Sequence, residues 1–162
     1  MNKAIFLDRD GVLNIENDHY YVYRAEDVTL NTGVIETLQK FQEMGFLLIV
    51  ITNQGAIAMG LCTHRDVETV HGILMKEFTE NGIRIEEIYY CPHHDSVEKC
   101  LCRKPGSLLI EKALARFGID PDRSYFIGDH ERDMAAARKA GITPIKVERD
   151  QDLRLVLKEF YG

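Results

Sequence analysis

The chain has 162 residues, 45% of them apolar and 28% charged, and a formal net charge of −6. Length and apolar content predict one domain over residues 1–162 with a buried core, and the acidic balance argues against a nucleic-acid partner. No apolar run is long enough to cross a bilayer, and Asp8 arrives too early for a secretory leader, so a cytoplasmic location without a membrane partner is expected.

The first apolar run, residues 3–7, predicts a strand that ends in Asp8-Arg9-Asp10-Gly11-Val12. Past the carboxyl edge of a strand, Asp8 and Asp10 converge on the crevice where α/β sheets bind ligands. Two carboxylates so close repel each other unless a cation sits between them. The pair therefore reads as a metal site, or as a nucleophile with its acid/base partner. A Ca²⁺ loop is the rival, but Val12 stands where an oxygen ligand belongs and no helix precedes the loop. A tyrosine-rich loop (Tyr20, Tyr21, Tyr23) then leads to a helix over residues 33–44, stopped by Gly45.

Residues 46–51 predict a strand buried on both faces. Thr52-Asn53-Gln54 follow it with the hydroxyl, amide and N–H donors that a phosphate needs, although an ordinary polar turn has the same composition. Thr63 caps a helix over residues 65–81, with Asp66 in its first turn and Gly82 as its stop. A third strand, residues 85–90, runs into Cys91-Pro92-His93 and then Cys100-Leu101-Cys102. Three thiolates and an imidazole at that spacing can close tetrahedrally around Zn²⁺, which would be structural because no ligand position is left for water. Buried thiols, or a disulfide in an oxidising context, are the alternatives. Cys62 stands apart and reads as a small buried hydrophobe.

Arg103-Lys104-Pro105 precedes a helix over residues 107–117 that Gly118 ends. The two cations suit a phosphoryl group, or are simply solvated. A strand over residues 124–127 leads into Gly128-Asp129-His130-Glu131-Arg132-Asp133 and a helix over residues 132–140. Asp129 is a candidate metal ligand. Asp133 either accepts N–H bonds that orient the loop or complements the helix dipole. A strand over residues 143–147 and a helix over residues 151–160 complete the chain. This alternation predicts an α/β fold, a Rossmann-like parallel sheet with helices on both faces, and all the polar clusters lie past the carboxyl ends of strands.

These motifs together resemble the haloacid dehalogenase superfamily of aspartate-nucleophile phosphatases. The likeness covers nearly the whole chain and is strongest to the small zinc-containing branch of D-glycero-D-manno-heptose 1,7-bisphosphate 7-phosphatase and histidinol-phosphate phosphatase. The resemblance implies a Mg²⁺-dependent phosphomonoesterase with a minimal cap. By that likeness Asp8 is the nucleophile that becomes an aspartyl phosphate, and Asp10 is the general acid and then base. Mg²⁺ binds Asp8, the backbone carbonyl of Asp10, and Asp129. Thr52, Asn53 and Lys104 hold the transferring oxygens, and zinc on Cys91, His93, Cys100 and Cys102 pins the loop that carries Arg103 and Lys104. Asp18, His19, Tyr21, Gln54 and Arg103 contact substrate, with support from His130 and Asp133. The implied substrate is a small phosphorylated metabolite: the heptose bisphosphate first, histidinol phosphate second, and a nucleic-acid 3′-phosphate third. Met59, Tyr20 and His130 depart from the family pattern, which usually has arginine, glycine, and lysine or arginine there. The oligomeric state stays open, with a monomer favoured.

Overall fold

Strand β1 (Lys3–Leu7) is apolar after its first residue, and its side chains alternate between two cores. Ala4 and Phe6 enter one core, Ile5 and Leu7 the other, and all are fully buried. Such two-sided burial is what places a strand at the centre of a parallel sheet. In the computed structural model, which describes residues 1–16 and 20–161, β1 is indeed central.

The other strands are β2 (Phe46–Asn53), β3 (Ile85–Cys91), β4 (Tyr125–Gly128) and β5 (Thr143–Lys146), in the sheet order β3-β2-β1-β4-β5 with every pairing parallel. Ile5 lies opposite Leu48 on one side and Tyr125 on the other, and Leu7 at the end of β1 faces Val50 and Ile127, so β4 ends one residue beyond β1 and β2 three residues beyond it.

Four α-helices make the crossovers: α1 (Val34–Glu43), α2 (His64–Glu80), α3 (Leu108–Phe117) and α4 (Glu131–Lys139). Val34, Leu38 and Phe41 of α1, with Val70, Leu74 and Phe78 of α2, fill one core at helical spacing. Leu109, Ile110 and Ala113 of α3, with Met134, Ala136 and Ala137 of α4, fill the other. The helices thus cover both faces, and the chain reverses direction across the sheet between β1 and β4, where such folds bind ligands. Thr63 caps α2, accepting from the Asp66 N–H while the Asp66 carboxylate accepts from the Thr63 N–H. No helix among the described residues is long and apolar enough to cross a membrane.

The structure differs from the sequence reading at three places. β2 runs two residues further than expected, so Thr52 and Asn53 pair with Tyr90 and Cys91 as the end of the strand. The final segment is a 3-10 helix (Leu153–Glu159), not an α-helix. Its buried Leu153 and Val156 are three apart, the spacing that a 3-10 helix stacks on one face, and Phe160 after it packs against Phe41, Phe46 and Tyr125. Cys62 is half-buried, one residue before the Thr63 cap of α2.

Candidate active site

Three carboxylates gather past the carboxyl edge of the sheet. Oxygens of Asp8, after β1, Asp129, after β4, and Asp133, in the first turn of α4, lie within 4.8 Å of one another. Their crowding depends on a missing side chain: a Cβ at Gly11 (φ +82°) would collide with Asp129 Oδ2. Lys104 provides the cation. Its Nζ lies 2.9 Å from Asp8 Oδ1 and 2.7 Å from Asp133 Oδ1, and donates at 2.8 Å to the Ile51 carbonyl. Burial alone would depress this ammonium, but Asp133 and Asp8 hold it above the ordinary lysine value. Burial and Asp133 raise the carboxyl of Asp8 in spite of Lys104. Asp129 is pushed up to about 8, by burial and by Asp8, Asp133 and Glu16. An all-oxygen group with more negative charge than Lys104 balances is the donor set of a hard cation such as Mg²⁺.

Asp10 is held separately from this cluster. Its Oδ1 accepts from Arg9 Nη2 at 2.8 Å, Arg9 Nε at 3.1 Å and Asn14 Nδ2 at 3.0 Å, and its Oδ2 accepts from Gln54 Nε2 at 3.0 Å. Gln54 Nε2 also donates to Thr52 Oγ1 at 2.9 Å. Asn53 spends its amide on the backbone of Lys104, accepting from its N–H at 3.0 Å and donating to its carbonyl at 3.1 Å.

A cavity of about 350 Å³ opens above these groups. Asp8, Asp10, Tyr21, Thr52, Asn53, Arg103, Lys104, Asp129 and His130 line it, so the structure brings these expected residues together. Gln54 does not line it. Expected at the substrate, it is buried beneath, between Asp10 and Thr52. Asp133 is likewise buried, accepting from the His130 N–H and pairing with Lys104. Asp18 and His19 lie outside the described residues.

The cavity also contains residues the sequence reading missed. Arg149 follows β5 at the same edge as the other clusters, a position that would have marked it. Arg132 occupies the first turn of α4. Glu16 carried no signal, yet its carboxyl is raised to about 7 by burial and Asp10, against the pull of Arg149. His130 is held below the ordinary imidazole value by burial and by Arg132. Tyr21 donates to the Met59 sulfur at 3.4 Å, so Met59 supports one wall.

Beside this cavity Cys91, His93, Cys100 and Cys102 present their ligand atoms to one another. His93 Nδ1 lies 3.3 Å from both Cys91 and Cys102 Sγ, and Cys91 Sγ lies 3.6 Å from Cys100 Sγ. Three sulfurs and a nitrogen converging at these distances fit a closed tetrahedral Zn²⁺ site. Burial pushes the Cys91 thiol well up, a penalty that metal coordination would remove. Arg103 next to this loop donates at 3.0 Å to the His93 carbonyl.

The HAD-hydrolase-like family model matches residues 101–159. The chain is 38% identical over 146 residues to D-glycero-β-D-manno-heptose-1,7-bisphosphate 7-phosphatase of Haemophilus ducreyi, covering 86% of this chain and 79% of the relative. It is 42% identical over 140 residues to the corresponding α-anomer phosphatase of Campylobacter jejuni, covering 86% and 78%. Among solved structures, D,D-heptose 1,7-bisphosphate phosphatase from B. bronchiseptica, complexed with magnesium and phosphate, superposes with a TM-score of 0.84 at 27% identity, covering 97% of this chain and 86% of that one.

Proposed function

Since this chain belongs to the haloacid-dehalogenase-like phosphatases, in the branch of the heptose-bisphosphate 7-phosphatases, we propose that it hydrolyses the 7-phosphate of D-glycero-D-manno-heptose 1,7-bisphosphate. The observation that carries the chemistry is Asp8, paired with Lys104 and crowded by Asp129 on the floor of an open polar cavity. The substrate rests on the relatives, which act on this bisphosphate and match at 38% and 42% identity over most of their length.

In this reading an Asp8 oxygen attacks phosphorus and the bond from phosphorus to the sugar oxygen breaks. Asp10 gives its proton to the departing alkoxide. The aspartyl phosphate is then attacked by water, whose proton passes to the Asp10 carboxylate, and inorganic phosphate leaves with Asp8 regenerated. Lys104 Nζ faces the oxygens on which charge accumulates, Thr52 lines the same wall, and Asn53 fixes the backbone of Lys104. Asp8, the Asp10 carbonyl and Asp129 would hold Mg²⁺, which when bound supplies the positive charge that lets an anionic nucleophile meet an anionic phosphate. Cys91, His93, Cys100 and Cys102 would hold structural zinc, which supports the loop before Lys104.

The sugar and its second phosphate extend toward Tyr21, Arg103, Arg132 and Arg149. Neutral His130 leaves the guanidinium groups to meet that charge. A small phosphorylated metabolite fits this site. Initial rates with Mg²⁺ on both anomers of the bisphosphate, on histidinol phosphate and on a 3′-phosphorylated oligonucleotide test the proposal. A heptose bisphosphate is expected to lead by about 100-fold in kcat/KM, some 2.7 kcal/mol of discrimination. Histidinol phosphate or the oligonucleotide in first place would overturn it.

A further inference from the structure

Arg9 sits between the two aspartates with its side chain fully buried. Its Nε and Nη2 donate to Asp10, and Nη2 also donates at 2.6 Å to the Val22 carbonyl. The remaining nitrogen, Nη1, lies 3.1 Å from Nε2 of His71, a buried residue on the inner side of α2. A guanidinium has only donors. Nε2 of His71 is therefore the acceptor, and the ring carries its proton on Nδ1. Burial and the charge of Arg9 lower the imidazole to about 3, so it stays neutral and able to accept throughout the working range.

We propose that His71 is a positioning residue for proton transfer: by accepting from Arg9 it fixes the guanidinium plane, and that plane aims the carboxyl of Asp10. The proposal rests on the reading of Asp10 as general acid and base. The geometry gives the arrangement a reason. The rigid fork of arginine meets a partner on each side, Asp10 on one and His71 on the other, with Val22 between them. Remove the far partner and a buried charged donor is left unsatisfied. The guanidinium then turns to find another acceptor and takes Asp10 Oδ1 with it.

A general acid matters most for a poor leaving group, so the test compares two leaving groups in single turnover with Mg²⁺. His71→Leu should slow transfer from a sugar phosphate about 10- to 30-fold, a fraction of what a positioned acid contributes. Its KM should stay within about two-fold and release of p-nitrophenol from p-nitrophenyl phosphate within about three-fold, since that phenolate departs unprotonated. His71→Gln, whose amide oxygen reaches Nη1, should restore the sugar-phosphate rate to within about three-fold of the parent. Nitrogen NMR of the parent should find Nδ1 protonated and Nε2 bare. Equal losses on both substrates, no loss on either, or a protonated Nε2 would overturn the proposal. Should His71→Leu fail to fold, His71→Asn, polar but too short to reach Arg9, must give the same leaving-group selectivity. A parent enzyme without phosphatase activity would remove the underlying reading too, whereas an active parent with unselective variants removes this proposal alone.

Discussion

Lys104→Met is the sharpest test of the buried charge cluster. Methionine keeps an apolar stem, but removes an ammonium that lies 2.9 Å from Asp8, 2.7 Å from Asp133 and 5.4 Å from the centre of the Phe126 ring. Removing one member of a buried ion pair costs about 3–5 kcal/mol, because its partner stays buried and uncompensated. Here two carboxylates are left, and Asp133 already raises the carboxyl of Asp8. Metal-free Lys104→Met should therefore lose about 3–5 kcal/mol in urea unfolding near neutral pH. Adding Asp133→Asn to that variant removes one of the uncompensated charges and should return about 1–2 kcal/mol. In the parent the same Asp133→Asn breaks a good pair and should destabilise. This reversal of sign is the diagnostic result. Mg²⁺ should recover more stability in Lys104→Met than in the parent, since it restores positive charge to the same carboxylates. A metal-free Lys104→Met within about 1 kcal/mol of the parent, or Asp133→Asn destabilising both backgrounds alike, would refute the reasoning.

The zinc site predicts that metal analysis finds zinc on the purified chain, and that stripping it lowers both the melting temperature and activity in a way that Mg²⁺ alone does not reverse; full activity in zinc-free protein would contradict it. His71 has a folded value of about 3 against 6.5 for the free side chain, so its contribution is complete above pH 6.5 and is lost as pH falls toward 3. Between pH 8 and 4.5 the parent should lose about 2–3 kcal/mol more than His71→Gln, and parallel losses in urea unfolding would show the ring to be accessible to protons. Arg132→Gln should raise KM for the bisphosphate about 10-fold and for a monophosphate of the same sugar less than two-fold, the size expected of one charge-assisted hydrogen bond; equal changes would mean that Arg132 does not meet the second phosphate.

Much of this architecture was legible because apolar runs and strand ends are local signals. Residues 3–7 and the run from Phe46 could only be buried strands, and Asp8, Thr52, Lys104 and Asp129 then fell on one edge. The misses are relations between distant parts of the chain. Arg9 follows Asp8 directly, and strand alternation would turn it away from its neighbours. Only after the chain has curled at residues 11–14, with the Arg9 carbonyl accepting from Leu13, does its guanidinium fold back on Asp10. His71 lies 62 residues from its partner Arg9 and looks like any inward position of an amphipathic helix. Gln54 and Asn53 looked like substrate donors by type, but their amides are committed to Asp10 and to the Lys104 backbone, a choice only tertiary packing makes.

The grip on Lys104 also separates the zinc loop into an anchored side and a free one. Inward, Cys91 and Cys102 meet at 3.1 Å, two residues before a lysine already tied by Asn53 to β2. Outward, Val97 and Leu101 are 56% and 81% exposed. Residues 95–99 stand outside the cavity lining and meet it through Asp95, 3.7 Å from the lining residue Arg103, so exchanges there alter how Arg103 is held and leave the ammonium at the floor on its own partners. The same short loop thus gives the protein a place to change what it admits while the reacting groups stay registered, much as a interchangeable mouthpiece fits a fixed barrel.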